Sequence, residues 1–329
     1  MTKSSLSSQQ QSIEIDPDHA GQRLDKVLAA YFPDLSRSRL QAWIKNRQVE
    51  VNGQIIEKPK HKLLGGELLS VTTTLEDQGE WVAAPIPLDI HYQDEAILVI
   101  NKPAGLVVHP APGHYTDTLV NGLLFEFPPL RKLPRAGIVH RLDKDTTGLL
   151  VVARTAEAHN HLVSQLQQRA FSREYQALVH GEIVSGDTID LPIGRHPISR
   201  KKMAVVERGK EAITHFRIEE KFNDFTLVKV KLETGRTHQI RVHFSHLKHA
   251  LVGDPMYGVR NLKPKGMKEA FTKVLDGFQR QALHARSLGL VHPVSGEWIE
   301  WECETPTDLL TLMAAIREHD EQTLQKSSR

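Results

Sequence analysis

The sequence predicts an α+β fold in two domains: a small N-terminal module of two helices and a hairpin, then a larger domain mixing strands and helices in irregular order. Three observations carry this. A chain of 329 residues exceeds what one hydrophobic core organises, and 40% hydrophobic content lets each domain bury its own. A stretch rich in Glu, Asp and Pro, from Glu76 to Pro87, separates two differently patterned segments. Beyond it, short apolar runs bounded by turn residues alternate with helical patterns, without the regular repeat of a doubly wound sheet.

In the first segment, Leu24, Val27, Leu28 and Tyr31 recur at the spacing of an amphipathic helix, which Pro33 should end. Ser36 is placed to cap a second helix, with Leu35 and Leu40 as its hydrophobic staple and Leu40, Trp43 and Ile44 as its buried face. Arg37, Arg39, Lys45 and Arg47 are then left mostly toward solvent. Val49-Glu50-Val51 meets Gln54-Ile55-Ile56 across Asn52-Gly53, the dipeptide a type I′ turn prefers because both central residues need positive φ. Gly65-Gly66 marks a further turn before the strand Leu68-Leu69-Ser70-Val71.

Charge points the same way. Residues 22–62 hold nine Lys or Arg against four acids, enough to neutralise several phosphates. Further basic clusters lie at Arg131, Lys132 and Arg135, and at Arg195, Arg200, Lys201 and Lys202. The order of elements, the residues 21–25, the helix start Ser36-Arg37-Ser38 and the turn Val51-Asn52-Gly53 resemble the S4 RNA-binding domain. That resemblance implies an RNA partner, with Arg37, Arg39, Lys45 and Arg47 as contacts. The expected boundaries are a disordered polar leader over 1–20, the S4-like module over 21–82, a catalytic domain over 83–315 and a polar tail over 316–329.

Several classes are disfavoured. The polar start lacks the apolar stretch of a secretory signal, and no apolar run approaches membrane-spanning length, so a cytoplasmic protein without membrane contact is expected. One cysteine, Cys303, precludes an intrachain disulfide or a cysteine-based zinc finger. There is no dinucleotide fingerprint and no P-loop.

In the second segment, Ala96-Ile97-Leu98-Val99-Ile100 and Leu149-Leu150-Val151-Val152-Ala153 read as buried strands. Residues 226–232 alternate like a half-exposed strand, and His159, Leu162, Val163 and Leu166 define a helix. The densest constellation is Gly137-Ile138-Val139-His140-Arg141-Leu142-Asp143-Lys144-Asp145-Thr146-Thr147-Gly148, held at the end of a rigid strand. Arg173-Glu174-Tyr175 opens another strand. Leu232-Glu233-Thr234-Gly235-Arg236-Thr237-His238-Gln239-Ile240-Arg241-Val242-His243 reads as extended, with Thr237, Gln239 and Arg241 on one side, so that Arg241 reaches a carboxylate on a neighbouring strand.

These runs, with Asn101-Lys102-Pro103-Ala104-Gly105-Leu106 upstream, resemble the RluA family of pseudouridine synthases. With the S4-like module in front, the likeness is to the D-type branch that acts on bacterial large-subunit (23S) rRNA. It spans residues 21–307 or so, without departure at the motif positions. The resemblance implies a mixed, mainly antiparallel sheet flanked by helices, no cofactor and no metal. It places the catalytic aspartate on Asp143, the active-site tyrosine on Tyr175, the aspartate's partner on Arg241 and the base-displacing arginine on Arg141. His140 and Gln239, inside the same motifs, are further candidates for substrate contact. A monomer is expected, and the stem-loop helix 69 is the expected target.

The chemistry is consistent with these residue types. Breaking N1–C1′ of uridine, turning the base and joining C5 to C1′ needs no redox partner and no net hydrolysis. A carboxylate attacks C1′, stabilises charge there or removes a sugar proton, and an arginine partner favours its ionised form. A glycoside hydrolase would need two facing carboxylates, and Asp143 and Asp145 diverge in an extended segment. Flipping a base from an RNA stack costs about a few kcal/mol, which Arg141 would offset by filling the vacated space, while Tyr175 packs on the uracil. His238, His243, His246 and His249 do not show metal-ligand spacing, and Gly253-Asp254 reads simply as a turn. The competing readings are a non-catalytic S4-type RNA-binding assembly factor, a synthase for another rRNA or tRNA site, and a metal-dependent nuclease.

Overall fold

The computed structural model describes residues 8–32, 37–74, 81–111, 113–199, 201–258 and 267–327. The chain forms two compact units, residues 1–80 and 81–329. The first contains β1 (Ser8–Glu14), α1 (Leu24–Tyr31), α2 (Arg37–Lys45), β2 (Val49–Val51), β3 (Gln54–Ile55) and β4 (Leu68–Thr74). Its sheet runs β1-β4-β2-β3, antiparallel throughout. Leu24, Val27 and Leu28 of α1 and Leu40, Trp43 and Ile44 of α2 close one core with Val49, Val51, Leu69 and Val71, the faces that sequence periodicity selects. Asn52 and Gly53 take φ of 50° and 76°, as the hairpin turn requires. The cap and staple assigned to Ser36 and Leu35, and the stop at Pro33, lie outside the described residues.

The leader expected to be disordered over 1–20 is instead partly structured. β1 pairs with β4 over seven residues, and Ile15 behind it is fully buried in the core. Its polar side chains hid it, because an edge strand is held by main-chain hydrogen bonds that leave no hydrophobic pattern.

The second unit contains β5 (Ile90–Gln93), β6 (Ile97–Lys102), α3 (Leu119–Glu126), β7 (Thr147–Ala153), α4 (Ala156–Gln167), β8 (Ser172–His180), β9 (Asp187–Asp190), β10 (Ile193–Arg195) and β11 (Met203–Val205). There follow β12 (Ile213–Lys221), β13 (Phe225–Leu232), α5 (Gln239–His246), α6 (Glu269–Gly277), β14 (Leu283–Val291), β15 (Trp298–Glu302) and α7 (Thr307–Ser327). Nine strands make one sheet in the order β5-β6-β7-β14-β8-β13-β12-β9, with β15 also on β14. Only β7 and β14 pair parallel, so the sheet is mixed and mainly antiparallel, as expected.

Both faces of its centre are buried. Leu98, Ile100, Leu150 and Val152 point into a core shared with α3 and α5, while Ile97, Val99, Leu149 and Val151 meet α4 on the other side. That double burial explains why β6 and β7 read as unbroken apolar runs. Gly148 follows Thr147 at the start of β7, where the strand pairs with β14. With φ of 108°, a Cβ there would sit 2.2 Å from the Ala285 carbonyl oxygen, so the last residue of the Asp143 motif has to be glycine.

Of the segment expected as a polar tail over 316–329, residues 316–327 belong to α7, whose Leu309, Leu312, Met313 and Ile316 pack on Phe271 and Phe278. A boundary at 315 would cut this helix. The extended reading of residues 232–243 is also overturned. After β13 the chain turns at His238, which has φ of 57°, and α5 begins at Gln239. Ile240, His243 and Phe244 are buried at helical spacing, a pattern that alternation over so few residues imitates.

Candidate active site

Asp143 sits in the loop before β7, anchored by buried Leu142 and by the turn in which Thr146 N–H donates to the Asp143 carbonyl. Arg241, from the first turn of α5, donates from Nη1 to Asp143 Oδ2 at 2.8 Å. The predicted pair therefore forms, but from a helix onto a loop rather than across the sheet.

The same guanidinium is held from behind. Its Nε and Nη2 donate to Asp254 Oδ2 and Oδ1 at 2.7 and 2.9 Å, and Asp254 Oδ1 also accepts from the Met256 and Tyr257 N–H groups. The Asp254 side chain is fully buried. Burial raises its pKa, yet the hydrogen bonds and charge of Arg241 outweigh this and hold it below the usual carboxylate range. Burial likewise opposes the charge on Arg241, while Asp254 and then Asp143 raise its pKa on balance. Gly253-Asp254 is thus more than a turn: Asp254 aims Arg241, and a fork of this kind fixes direction as well as charge.

His238 completes this side. Tyr257 Oη accepts from Met203 N–H at 2.8 Å and lies within hydrogen-bond distance of His238 Nδ1, at 2.8 Å. Nε2 is 3.8 Å from Asp143 Oδ1. Burial lowers the His238 pKa, so the ring is neutral at pH 7. The Tyr257 ring also lies under Arg241, with 5.1 Å from Cζ to the ring centre.

Behind the Asp143 loop, Lys102 is fully buried and its Nζ donates to the carbonyls of Pro103, Leu106 and Lys144 at 2.7, 3.0 and 2.8 Å. Burial pulls its pKa down to about 7. This ties the loop after β6 to the loop carrying Asp143.

A cleft of about 800 Å³ opens over these groups, lined by Arg141, Asp143, Arg173, Tyr175, His238 and Arg241 among others. Tyr175 is buried in β8, and burial raises the pKa of its phenol. Arg141 is exposed and lines both this cleft and a smaller one of about 360 Å³ on the other side of Asp143.

Two candidate contacts find other roles. Gln239 Oε1 accepts from Thr234 Oγ1 and Arg236 N–H at 2.8 and 2.9 Å, and its Nε2 donates to the Ile213 carbonyl and Thr214 Oγ1, both at 3.0 Å. Fully used within the protein, its amide shapes the turn before α5 and has nothing left for RNA. Gln239→Leu is expected to lose about 2–3 kcal/mol of stability in denaturant titration, with RNA affinity of the folded protein unchanged. His140 Nε2 accepts from Val151 N–H at 3.1 Å and its ring stands edge-on to Phe171; burial lowers its pKa to about 3. It braces the motif against β7 as a neutral ring.

In the smaller unit, α2 carries Arg37 and Arg39, whose side chains lie outside the described residues. Lys45 and Arg47 are exposed, and Arg47 Nε lies 3.5 Å from Glu57. Among the described residues, no group of three or more His, Cys, Asp or Glu side chains is placed to hold a metal, and no helix is long and apolar enough to cross a membrane. His243 and His249 are instead engaged with Thr214 and Leu191, and with the His180 carbonyl.

Sequence reasoning missed Asp254, Tyr257 and Lys102. Lys102 lay in a quoted motif without a role, and nothing local marked Asp254 or Tyr257.

Residues 96–246 match the RNA pseudouridylate synthase family, and residues 22–69 match the S4 domain. The chain is 51% identical over 303 residues to "Ribosomal large subunit pseudouridine synthase D" of Escherichia coli K12, covering 92% of this chain and 93% of that one. Its identity to the protein of the same name in Pseudomonas aeruginosa PAO1 is 53% over 312 residues, covering 95% and 97%. The structure of human RNA pseudouridylate synthase domain containing 1 superposes with a TM-score of 0.54 at 29% identity, covering 71% of this chain and 89% of that one. Human RNA pseudouridylate synthase domain containing 4 gives 0.55 at 27%, covering 69% and 92%.

Proposed function

Because this chain belongs to the RNA pseudouridylate synthase family and carries an S4 domain ahead of it, we propose that it converts uridines of 23S rRNA in the large ribosomal subunit to pseudouridine, with Asp143 as the catalytic carboxylate. The observation that carries the reading is the Asp143 carboxylate at the cleft, fastened by Arg241, while the other acids nearby are engaged elsewhere: Glu233, which also lines the cleft, pairs with His215 and Arg169, and Asp254 is buried behind the arginine. That arrangement suits cleavage and rejoining at C1′ and leaves no pair for activating water.

The flipped uridine enters the cleft with C1′ at Asp143, while Arg141 takes the space the base has left in the stack. Tyr175 packs on the uracil and keeps it in place as it turns. Arg241 withdraws none of its hydrogen bonds during this, because Asp254 holds the other edge of its guanidinium. Asp143 then acts at C1′ as nucleophile or at C2′ as base. We propose that the protein acts as a monomer in the cytoplasm.

We place the target in the helix 69 stem-loop, on the likeness to the D-type enzymes. Removing the gene and mapping pseudouridine by carbodiimide-blocked primer extension tests this. Loss of the stops in that stem-loop, restored by the wild-type gene, is expected, and an unchanged map would refute it. Deleting residues 1–80 should weaken RNA binding and flatten its dependence on salt while the second unit stays folded, since each unit has its own core. An unchanged salt slope would show that the S4 domain does not contact the backbone.

A further inference from the structure

Arg173 follows Ser172 at the start of β8, two residues before Tyr175, so both side chains leave one face of the strand about 7 Å apart, and both line the cleft. Arg173 is 7% exposed. The other arginines buried to this degree hold carboxylates in a fork, Arg241 with Asp254 and Arg280 with Asp308. Arg173 does not. Its Nη2 donates to the Glu233 carbonyl at 3.0 Å, its Nε has no partner, and no carboxylate among the described residues pairs with it. The Glu233 carboxylate turns instead to His215 and Arg169. Burial lowers the Arg173 pKa, the direction for a cation without a compensating anion. The cleft also leaves room for this guanidinium: a Cβ on Gly235 would lie 2.8 Å from Arg173 Nη1.

A buried cation left without an anion in a substrate cleft is completed by the substrate. We propose that Arg173 is a further catalytic residue, whose guanidinium accepts the negative charge of the uracil released when N1–C1′ breaks. The inference rests on the function proposed above and adds a group to it. As N1–C1′ breaks, its electron pair leaves with N1, and the uracil anion spreads its charge over N1, O2 and O4. C1′ is meanwhile bonded to Asp143, or C2′ gives its proton to Asp143 to form a glycal. After the base turns, an electron pair at C5 forms the bond to C1′. Asp143 is then released or returns its proton to C2′, the C5 proton is lost, N1 gains a proton, and the balance is an isomerisation. A charge that exists only after cleavage is where a preorganised cation in a water-poor wall lowers the barrier without tightening ground-state binding. Phosphodiesters stay outside with the RNA backbone, where exposed cations rather than a buried one meet them.

The test uses full-length protein and single-turnover conversion of a large-subunit rRNA transcript. Arg173→Met is expected to slow conversion about 10²–10³-fold with RNA affinity and salt slope unchanged, and Arg173→Lys to recover part of the rate. Gly235→Ala, which displaces the guanidinium without removing its charge, should cause a smaller loss. On 5-fluorouridine RNA, which has no C5 proton to lose, so that the rate is read as disappearance of the N1-linked nucleotide, the base departs as a more stable anion and the deficit of Arg173→Met should shrink. Equal deficits on both substrates would overturn the proposal, as would parallel losses of rate and affinity with a salt slope lowered by about one, the signature of a phosphate contact. An RNA-independent arm separates this inference from the choice of substrate. 5-Nitrouracil, an anion at neutral pH, should bind the wild type more tightly than uracil, and Arg173→Met should erase the preference. A wild type that is inactive on rRNA yet shows this preference would refute the proposed substrate alone; a wild type without the preference would refute the role of Arg173.

Discussion

Asp143→Asn is expected to reduce pseudouridine formation by at least about 10³-fold while leaving the fold and RNA affinity near wild type. The amide is nearly isosteric, and its oxygen still accepts from Arg241 Nη1, so the 2.8 Å contact has a geometric substitute. What disappears is the negative charge and the basic oxygen pair, which attack at C1′ and proton removal at C2′ both require. Complementing a gene deletion with this variant and mapping rRNA pseudouridines is the direct measurement. Full restoration would remove Asp143 from the chemistry. Melting and RNA-binding curves recorded beside it separate a chemical defect from a folding one.

Arg241→Met is expected to damage rate and stability together. The guanidinium bridges two carboxylates, and its removal leaves Asp254 fully buried without its ion-pair partner. Breaking a buried pair in this way costs about 3–5 kcal/mol, a fall of roughly 10 °C in melting temperature for a domain of this size. Asp254 would keep only the N–H groups of Met256 and Tyr257. Arg241→Lys tests the geometry: a point charge cannot serve Asp143 and both oxygens of Asp254 at once, so a partial rescue of stability with little rescue of turnover is expected. If the methionine variant melts like the wild type, the arginine is not the strut assigned here. If it loses RNA affinity as much as rate, its main partner is a phosphate rather than Asp143.

Much of the site was legible because its residues are dense in sequence. Asp143, Arg141 and Gly148 of β7 fall within one run, and the strand announces itself through the five consecutive apolar residues that follow. Tyr175 could be placed on a strand for the same reason. Gln239 and His140 misled because a polar residue inside a motif looks the same whether it faces the substrate or satisfies buried main chain. Only the location of Ile213, Thr214 and Val151 decides which. The turn at His238 was hidden for a related reason: alternation over 237–241 fits a strand and the start of a helix equally, and the Gln239 amide that closes the turn acts through contacts formed only on folding.

By itself, then, the sequence determined the two-part architecture, the hairpin at Asn52-Gly53 and the buried strands of the central sheet, because each is written in local periodicity or in a short contiguous run. The tertiary structure alone decided how Arg241 reaches Asp143, from a helix onto a loop, and that Asp254 holds the arginine from behind. Asp143 and Arg241 are 98 residues apart and Asp254 a further 13 beyond, so their meeting depends on where β7, α5 and the loop after Leu251 are packed. Ion pairs between distant loops leave no periodic trace, and an arginine without a carboxylate, such as Arg173, becomes visible only when its surroundings have been folded around it.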